Sequence, residues 1–404
     1  MIIKIRSNKP SRKLMVLMLL ILSAAVIFSV LKMPKKSTQN IKEKTAQSQI
    51  KGVWISYIEF GEMIWGKTLD EYKSQVENCI SNVKSLGLNT VILHVRSHCD
   101  AFYESKYFPW SYQICKQQGV GCGFDPLKEF LDIAHKNSIS VHAWINPYRV
   151  TSGSSGLDSL CETNPALKLN ENEQTVVKYE TGIYLNPADE GVRTLIINGV
   201  RELVENYEID GIHFDDYFYP TTDENFDSKL YQQYMNTDDN AIKLSLDAWR
   251  RNQVNLMITG VYTAVKSSGK DILFGISPQA NIEKNFNTYY ADVKLWSHGG
   301  YCDYICPQIY FGFEYPKEGF DFVSLADAWK SEVSEEVQLV LGLASYKSGK
   351  EDSTSREWIE NTDILKRQCE YANKLSSGIC FYSYSSLFSD DENCAAERNN
   401  LNLL

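Results

Sequence analysis

The stretch GVRTLIINGVRELVENYEIDGIHFDDYFYP, residues 191–220, holds one complete helix-then-strand unit. An amphipathic run of helical pattern gives way to the short apolar and aromatic run GIHFDDY, residues 211–217. Strand alternation puts His213, Asp215 and Tyr217 on one face and Phe214 and Asp216 on the other, and both carboxylates reach the open end where the strand stops.

The pattern repeats on both sides of this unit. Candidate strands are GVWISY (52–57), NTVILHVR (89–96), SVHAWINP (140–147), GIHFDDY, LFGISPQ (273–279), YICPQIY (304–310), QLVLGLASY (338–346) and GICFYSY (378–384). Helical patterns such as DPLKEFLDIAHKNS lie between them. Eight strands alternating with helices predict an α/β fold, a closed (β/α)8 TIM barrel, over residues 51–404; an open doubly wound sheet is the alternative.

Such barrels work at the carboxyl ends of their strands. The residues closing each strand are polar all round the rim, and from them come the candidate site residues. Asp215 and Asp216 are the candidate catalytic pair, because glycoside cleavage asks for one acid to protonate the leaving oxygen and a second carboxylate to orient or attack. Glu59, Arg96, Trp144, Asn146, Arg149, Tyr217, Gln308, Tyr310, Tyr346 and Tyr384 are the candidate substrate contacts. Arg96 is expected beside Asp215, holding it ionised, while Asp216 is raised by that neighbouring charge and keeps its proton.

Ahead of the barrel, residues 1–13 are basic, and residues 14–31, LMVLMLLILSAAVIFSVL, are apolar over about the length a membrane-spanning helix needs. No A-x-A cleavage site follows. Residues 14–31 therefore read as an uncleaved transmembrane signal anchor, residues 1–13 as its cytoplasmic segment, and the polar residues 32–50 as a linker. Basic residues flank both ends of the run, so charge alone does not orient it; the barrel is expected on the extracytoplasmic side of the cell membrane in a single-pass protein. The chain carries a formal net charge of -10; residues from Lys51 onward hold 31 basic against 50 acidic side chains. Such a domain avoids nucleic acid. Among the ten cysteines, Cys115 and Cys122 flank QQGVG and are candidates for a disulfide, and no C-x2-C pair suggests structural zinc. No cofactor is expected.

The strings KGVWISY (51–57), NTVILHVRSHCDAFYESKYFPWS (89–111), GFDPLKEFLDIAHKNSISVHAWINPYRV (123–150), residues 184–220, YICPQIYFGF (304–313) and GLASYKSG (342–349) together resemble the bacterial glycosyl-hydrolase-like family 10 proteins. The resemblance covers residues 51–390. It implies a (β/α)8 barrel outside the cytoplasm and a cell-wall polysaccharide partner, an N-acetylated glycan of peptidoglycan type; the family includes an enzyme acting on peptidoglycan glycans stripped of their peptides. DGIHFDD is also similar to the D-G-x-D-x-D-x-E strand of family 18 chitinases, but Tyr217 stands where that motif has Glu. After strand five the chain reads ISPQANIEKN, where relatives tend to read I-S-P-F-G, an aromatic and R-N.

Two rival readings remain. His94, His142 and His213 share a parity on neighbouring strands and are candidate ligands of a metal-dependent hydrolase. Alternatively, Trp54, Trp65, Trp110, Trp144, Tyr217 and Tyr219 stack sugars in a barrel that binds glycan without cutting it. With no carboxylate at Tyr217, the substrate's own 2-acetamido group is a candidate nucleophile, and Glu59 and Asp100 are the alternatives as attacking or water-activating carboxylates.

Overall fold

The computed structural model describes residues 49–171, 174–237, 242–352 and 355–401. The basic segment, the anchor and nearly all of the linker lie outside the described residues. No helix among the described residues is long and apolar enough to cross a membrane.

Eight parallel strands close a barrel: β1 (Lys51–Ile55), β2 (Thr90–Arg96), β3 (Ser140–Ile145), β7 (Gly211–Phe214), β8 (Leu273–Ile276), β9 (Tyr304–Ile305), β10 (Gln338–Leu343) and β11 (Gly378–Phe381), with β1 paired to both β2 and β11. All eight sequence-predicted strands are present, and all but β2 are shorter at the carboxyl end. The missing residues are loop and short helix, because there the chain leaves the ladder to form the mouth. The loop after β3 carries a feature that the sequence reading missed, an antiparallel sheet of β4 (Arg149–Ser152), β5 (Val176–Tyr179) and β6 (Gly182–Leu185). Its strands have four residues each, too few for alternation to register. Gly182 is required there: a Cβ would collide with the Thr151 carbonyl, and its φ of 148° is open to glycine.

Burial splits into two cores. Outward-facing Val91, Leu93, Ile212 and Phe214 join the helices in the larger one. The lumen is a separate cluster containing Trp54, Ile92, Trp144, Tyr304, Val340 and Cys380. Its polar atoms form a chain. The Trp54 indole can only donate, so the His213 Nε2 it meets at 3.3 Å accepts. Burial keeps His213 neutral, so its Nδ1–H donates to the Tyr304 hydroxyl at 2.8 Å, and that hydroxyl donates onward to His142 Nδ1 at 2.8 Å. All ten cysteines are thiols, Cys115 and Cys122 included, so the candidate disulfide is not formed.

The Tyr304 ring lies where a Cβ on Gly275 of β8 would fall. Gly275→Ala should therefore overpack the lumen and lower stability by about 1–3 kcal/mol, read as a shifted urea midpoint. An unchanged midpoint would mean that the ring moves aside freely.

Candidate active site

The end of β7 places its two acids in different surroundings. Asp215 is 3% exposed and turns toward β3: its Oδ2 accepts from Trp144 Nε1 at 3.0 Å and Asn146 Nδ2 at 3.3 Å, and its Oδ1 from the Tyr217 amide at 3.3 Å. Asp216 turns the other way, toward β8 and β9. Gln279 Nε2 reaches its Oδ2 at 2.8 Å and Gln308 Nε2 its Oδ1 at 2.9 Å. The Gln308 amide is oriented by the Ser277 carbonyl, 3.1 Å from the same nitrogen, so its N–H groups must face the acid. Asp216, Tyr217, Gln279 and Tyr184 of β6 line a small cavity of about 130 Å³.

Burial first, then the charge of Asp216, pushes the Asp215 carboxyl up to about 7. Asp216 is also raised by burial, against the two glutamine amides, which favour its ionised form. Arg149 lowers both. Its Nε donates to the Ser97 carbonyl at 2.9 Å, its backbone N–H to Asn146 Oδ1 at 3.1 Å, and its guanidinium lies between the rings of Tyr57 and Tyr217, 5.5 and 5.1 Å from their centroids. Arg149 opens β4, so the added sheet is what carries this cation to the mouth.

Trp144 is held from below by His94, stacked at 3.6 Å between ring centroids and 12° between planes. Tyr310 stacks on Tyr382 at 5.7 Å, with Tyr346 edge-on to both, and Tyr382 meets Trp144 at 6.5 Å. One mouth thus gathers Asp215, Asp216, Trp144, Asn146, Arg149, Tyr217, Gln308, Tyr310 and Tyr346. Gln279, Tyr57 and Tyr382 belong to it as well and were not singled out as candidate contacts. Tyr382 shares its parity with the lumen-facing Cys380, a signal available in GICFYSY.

Three expected contacts lie elsewhere. Arg96 is buried on the outer side of the barrel, over the Phe108 ring at 4.4 Å and against Gly199 of the helix Glu190–Asn206. A register shift between His94 and Arg96 inserts one residue into β2 and breaks the parity that linked them. Asp215 consequently has no Arg96 beside it and is raised rather than lowered. Glu59 is the third residue of the helix Tyr57–Ile64, where it closes a capping box with Ser56 and accepts from Ser383 Oγ and the Ser385 amide, both at 2.7 Å. Tyr384 begins a short helix, Tyr384–Leu387, and packs on Phe388 and Asn82 away from the lumen. The three histidines do not converge on a metal: His142 and His213 are both committed to Tyr304, and no group of three His, Cys, Asp or Glu able to hold one occurs among the described residues. Of the proposed stacking aromatics, Trp54 and Tyr219 are buried, while Trp65 and Tyr217 are exposed.

The Asp215 pKa carries a stability signature. Folding favours its protonated form, so its contribution is complete below the unfolded pKa of about 4 and is lost as pH rises toward 7. Asp215→Asn, which never ionises, should gain on the parent chain between those pH values by on the order of 2 kcal/mol and then hold level. Paired urea titrations across pH 4–8 would expose the idea as wrong if the two curves ran parallel.

The family model described as "Glycosyl hydrolase-like 10" matches residues 49–360. The glycosyl hydrolase YngK of Bacillus subtilis is 33% identical over 323 residues, covering 74% of this chain but only 61% of its own length. The glycosyl hydrolase DigH of Escherichia coli K12 is 31% identical over 338 residues, 77% of this chain and 74% of that protein. Among solved structures, the PgaB (BpsB) glycoside hydrolase domain from Bordetella bronchiseptica superposes with a TM-score of 0.58 at 13% identity, covering 88% of this chain and all of that one, a likeness of fold. The chain belongs to the glycosyl hydrolase-like 10 family.

Proposed function

We propose that the protein is a glycoside hydrolase that cuts N-acetylated cell-wall glycan of the peptidoglycan type, with Asp216 as proton donor and Asp215 orienting the substrate's 2-acetamido group. The observation that carries this reading is the pair of adjacent carboxylates at one mouth, turned to opposite sides, both with pKa values raised by burial. Family membership and the names of the relatives support the hydrolase class.

Asp216, protonated, gives its proton to the glycosidic oxygen as the bond from that oxygen to the anomeric carbon breaks. The acetamido carbonyl oxygen forms the replacing bond to the anomeric carbon, and Asp215 accepts the amide N–H and stabilises the positive charge that develops there. Water then attacks the anomeric carbon, its proton passes to Asp216, and the ring opens back to the acetamide. Trp144 and Asn146 fix Asp215 for this role, and the two glutamines fix Asp216. Tyr217, Tyr310, Tyr346 and Tyr382 offer faces and hydroxyls to sugar rings.

Asp216→Asn should lower kcat on denuded, fully N-acetylated glycan by at least about a hundredfold, and Asp215→Asn should be nearly as damaging. Chemical de-N-acetylation of the same glycan should abolish turnover by the parent chain. Reducing-end release measures all three. Wild-type rates in both variants would remove strand β7 from the chemistry, and equal rates on the two glycans would replace the acetamido nucleophile by a water.

The reading includes a tether: residues 14–31 hold the barrel beside the wall, on the outer face of the membrane. Protease added to intact, wall-stripped cells should remove the barrel, and a fully protected chain would refute this placement.

A further inference from the structure

Beyond Arg149 the mouth does not end. Tyr57, on the far side of that guanidinium from Tyr217, forms one wall of a second cavity of about 430 Å³, against His98, Asp100, Tyr112 and the β4 residues Thr151 and Ser152. It is more than three times the volume of the cavity at Asp216 and falls in the range of ligand sites. Its wall contains a buried carboxylate that is only half satisfied. Asp100 is 2% exposed and its carboxyl pKa is raised by burial; its Oδ2 accepts from the Tyr112 amide and from Gln118 Nε2, both at 3.2 Å, and the Ser111 side chain stands beside it, while its Oδ1 lacks a well-formed hydrogen bond. A buried acceptor left open costs about 1–3 kcal/mol unless something donates to it.

The other groups suit a sugar. His98, kept neutral by burial and by Arg149, pairs its Nδ1 with Ser97 Oγ at 3.0 Å and lies edge-on to Tyr57 at 5.3 Å. Tyr112 is 51% exposed and Trp65 55% exposed, so both rings offer an open face. They are linked through Lys116, which lies 5.1 Å from the Trp65 ring centroid and donates to Gln113 at 3.0 Å on the cavity wall. An aromatic path therefore runs from Tyr217 past Arg149 to Tyr57, Tyr112 and Trp65 along one edge of the barrel mouth.

We propose that this cavity is a remote carbohydrate subsite. It holds an uncharged N-acetylated sugar of the same linear chain whose scissile bond sits at Asp215 and Asp216, so that the protein engages long glycans internally rather than short fragments. An open carboxylate oxygen calls for hydroxyl or amide N–H donors and disfavours a sugar bearing its own carboxylate. The subsite rests on the glycosidase reading for its register, but its occupancy is measurable without turnover.

The test uses the full chain carrying Asp216→Asn and measures calorimetric Kd values for the dimer and the hexamer of β-1,4-linked N-acetylglucosamine. The hexamer should bind at least tenfold tighter than the dimer. Adding Tyr112→Ala, a change at an exposed ring, should remove most of that gap, and Asp100→Asn, nearly isosteric, should weaken the hexamer severalfold. Equal Kd values for the two oligomers, or a hexamer Kd indifferent to both substitutions, would overturn the subsite. The two readings fail separately. Hydrolysis by the parent chain without any length preference keeps the enzyme and overturns the subsite, whereas length-dependent binding with no hydrolysis of any glycan keeps the subsite and overturns the enzyme.

Discussion

The hydrogen bond from the Trp144 indole to Asp215, 3.0 Å long, is where packing of the barrel lumen becomes chemistry at its mouth. An indole N–H has one direction in which to donate, so its aim is set by whatever fixes the ring. Here that is His94, stacked face to face beneath it, with Tyr382 and His213 at its edges. His213 is fixed in turn by Trp54 and Tyr304. A lumen filled only with aliphatic side chains would be as dry, but it would carry no donor to the strand end. The histidines read most naturally as parts of this support. Each is buried and kept neutral, two of them sharing one tyrosine hydroxyl.

The loops around the mouth are held by a second device, buried glutamates that each gather donors from a different segment. Glu59 ties the loop after β11 to the first helix. Glu202 accepts from Ser105 Oγ and the Lys106 amide, Glu357 from the Phe313 and Glu314 amides, and Glu397 from those of Ile364 and Leu365. A carboxylate taken from water is costly unless its oxygens are matched by donors, and two backbone N–H groups are a fixed, directional match. Long loops thereby keep one shape at the rim, which a site assembled from several strand ends requires.

Much of this was legible in the chain. The helix-strand rhythm predicted all eight barrel strands, and alternation within GIHFDDYFYP put Asp215 with His213 toward the lumen. Alternation failed where its premise failed. In β2 an inserted residue between His94 and Arg96 turned the arginine outward, and a bulge leaves no mark in a run as uniform as NTVILHVR. At the end of β11 the strand was read on to Tyr384, where the chain already turns helical, although the ladder stops at Phe381, so Tyr382 was passed over. Glu59 was taken for a strand-end acid although Ser56-x-x-Glu59 is a capping signature, which local spacing could have revealed.

The two acids differ less in chemistry than in what surrounds them. Asp215 is enclosed by fixed donors from β3 and by its own chain, which leave it little acceptor capacity for any further group. Asp216 is less enclosed, lines the small cavity, and accepts from two neutral glutamine amides, one on each oxygen, which oppose the rise that burial imposes. Like charges side by side resist a second ionisation, so the pair keeps a proton that two isolated carboxyls would have lost. Arg149, between Tyr57 and Tyr217, opposes that effect on both acids without bonding to either. In a domain with so large an excess of acidic side chains, one arginine delivered by a small added sheet adds to the glutamine amides in opposing the rise that burial imposes on the mouth.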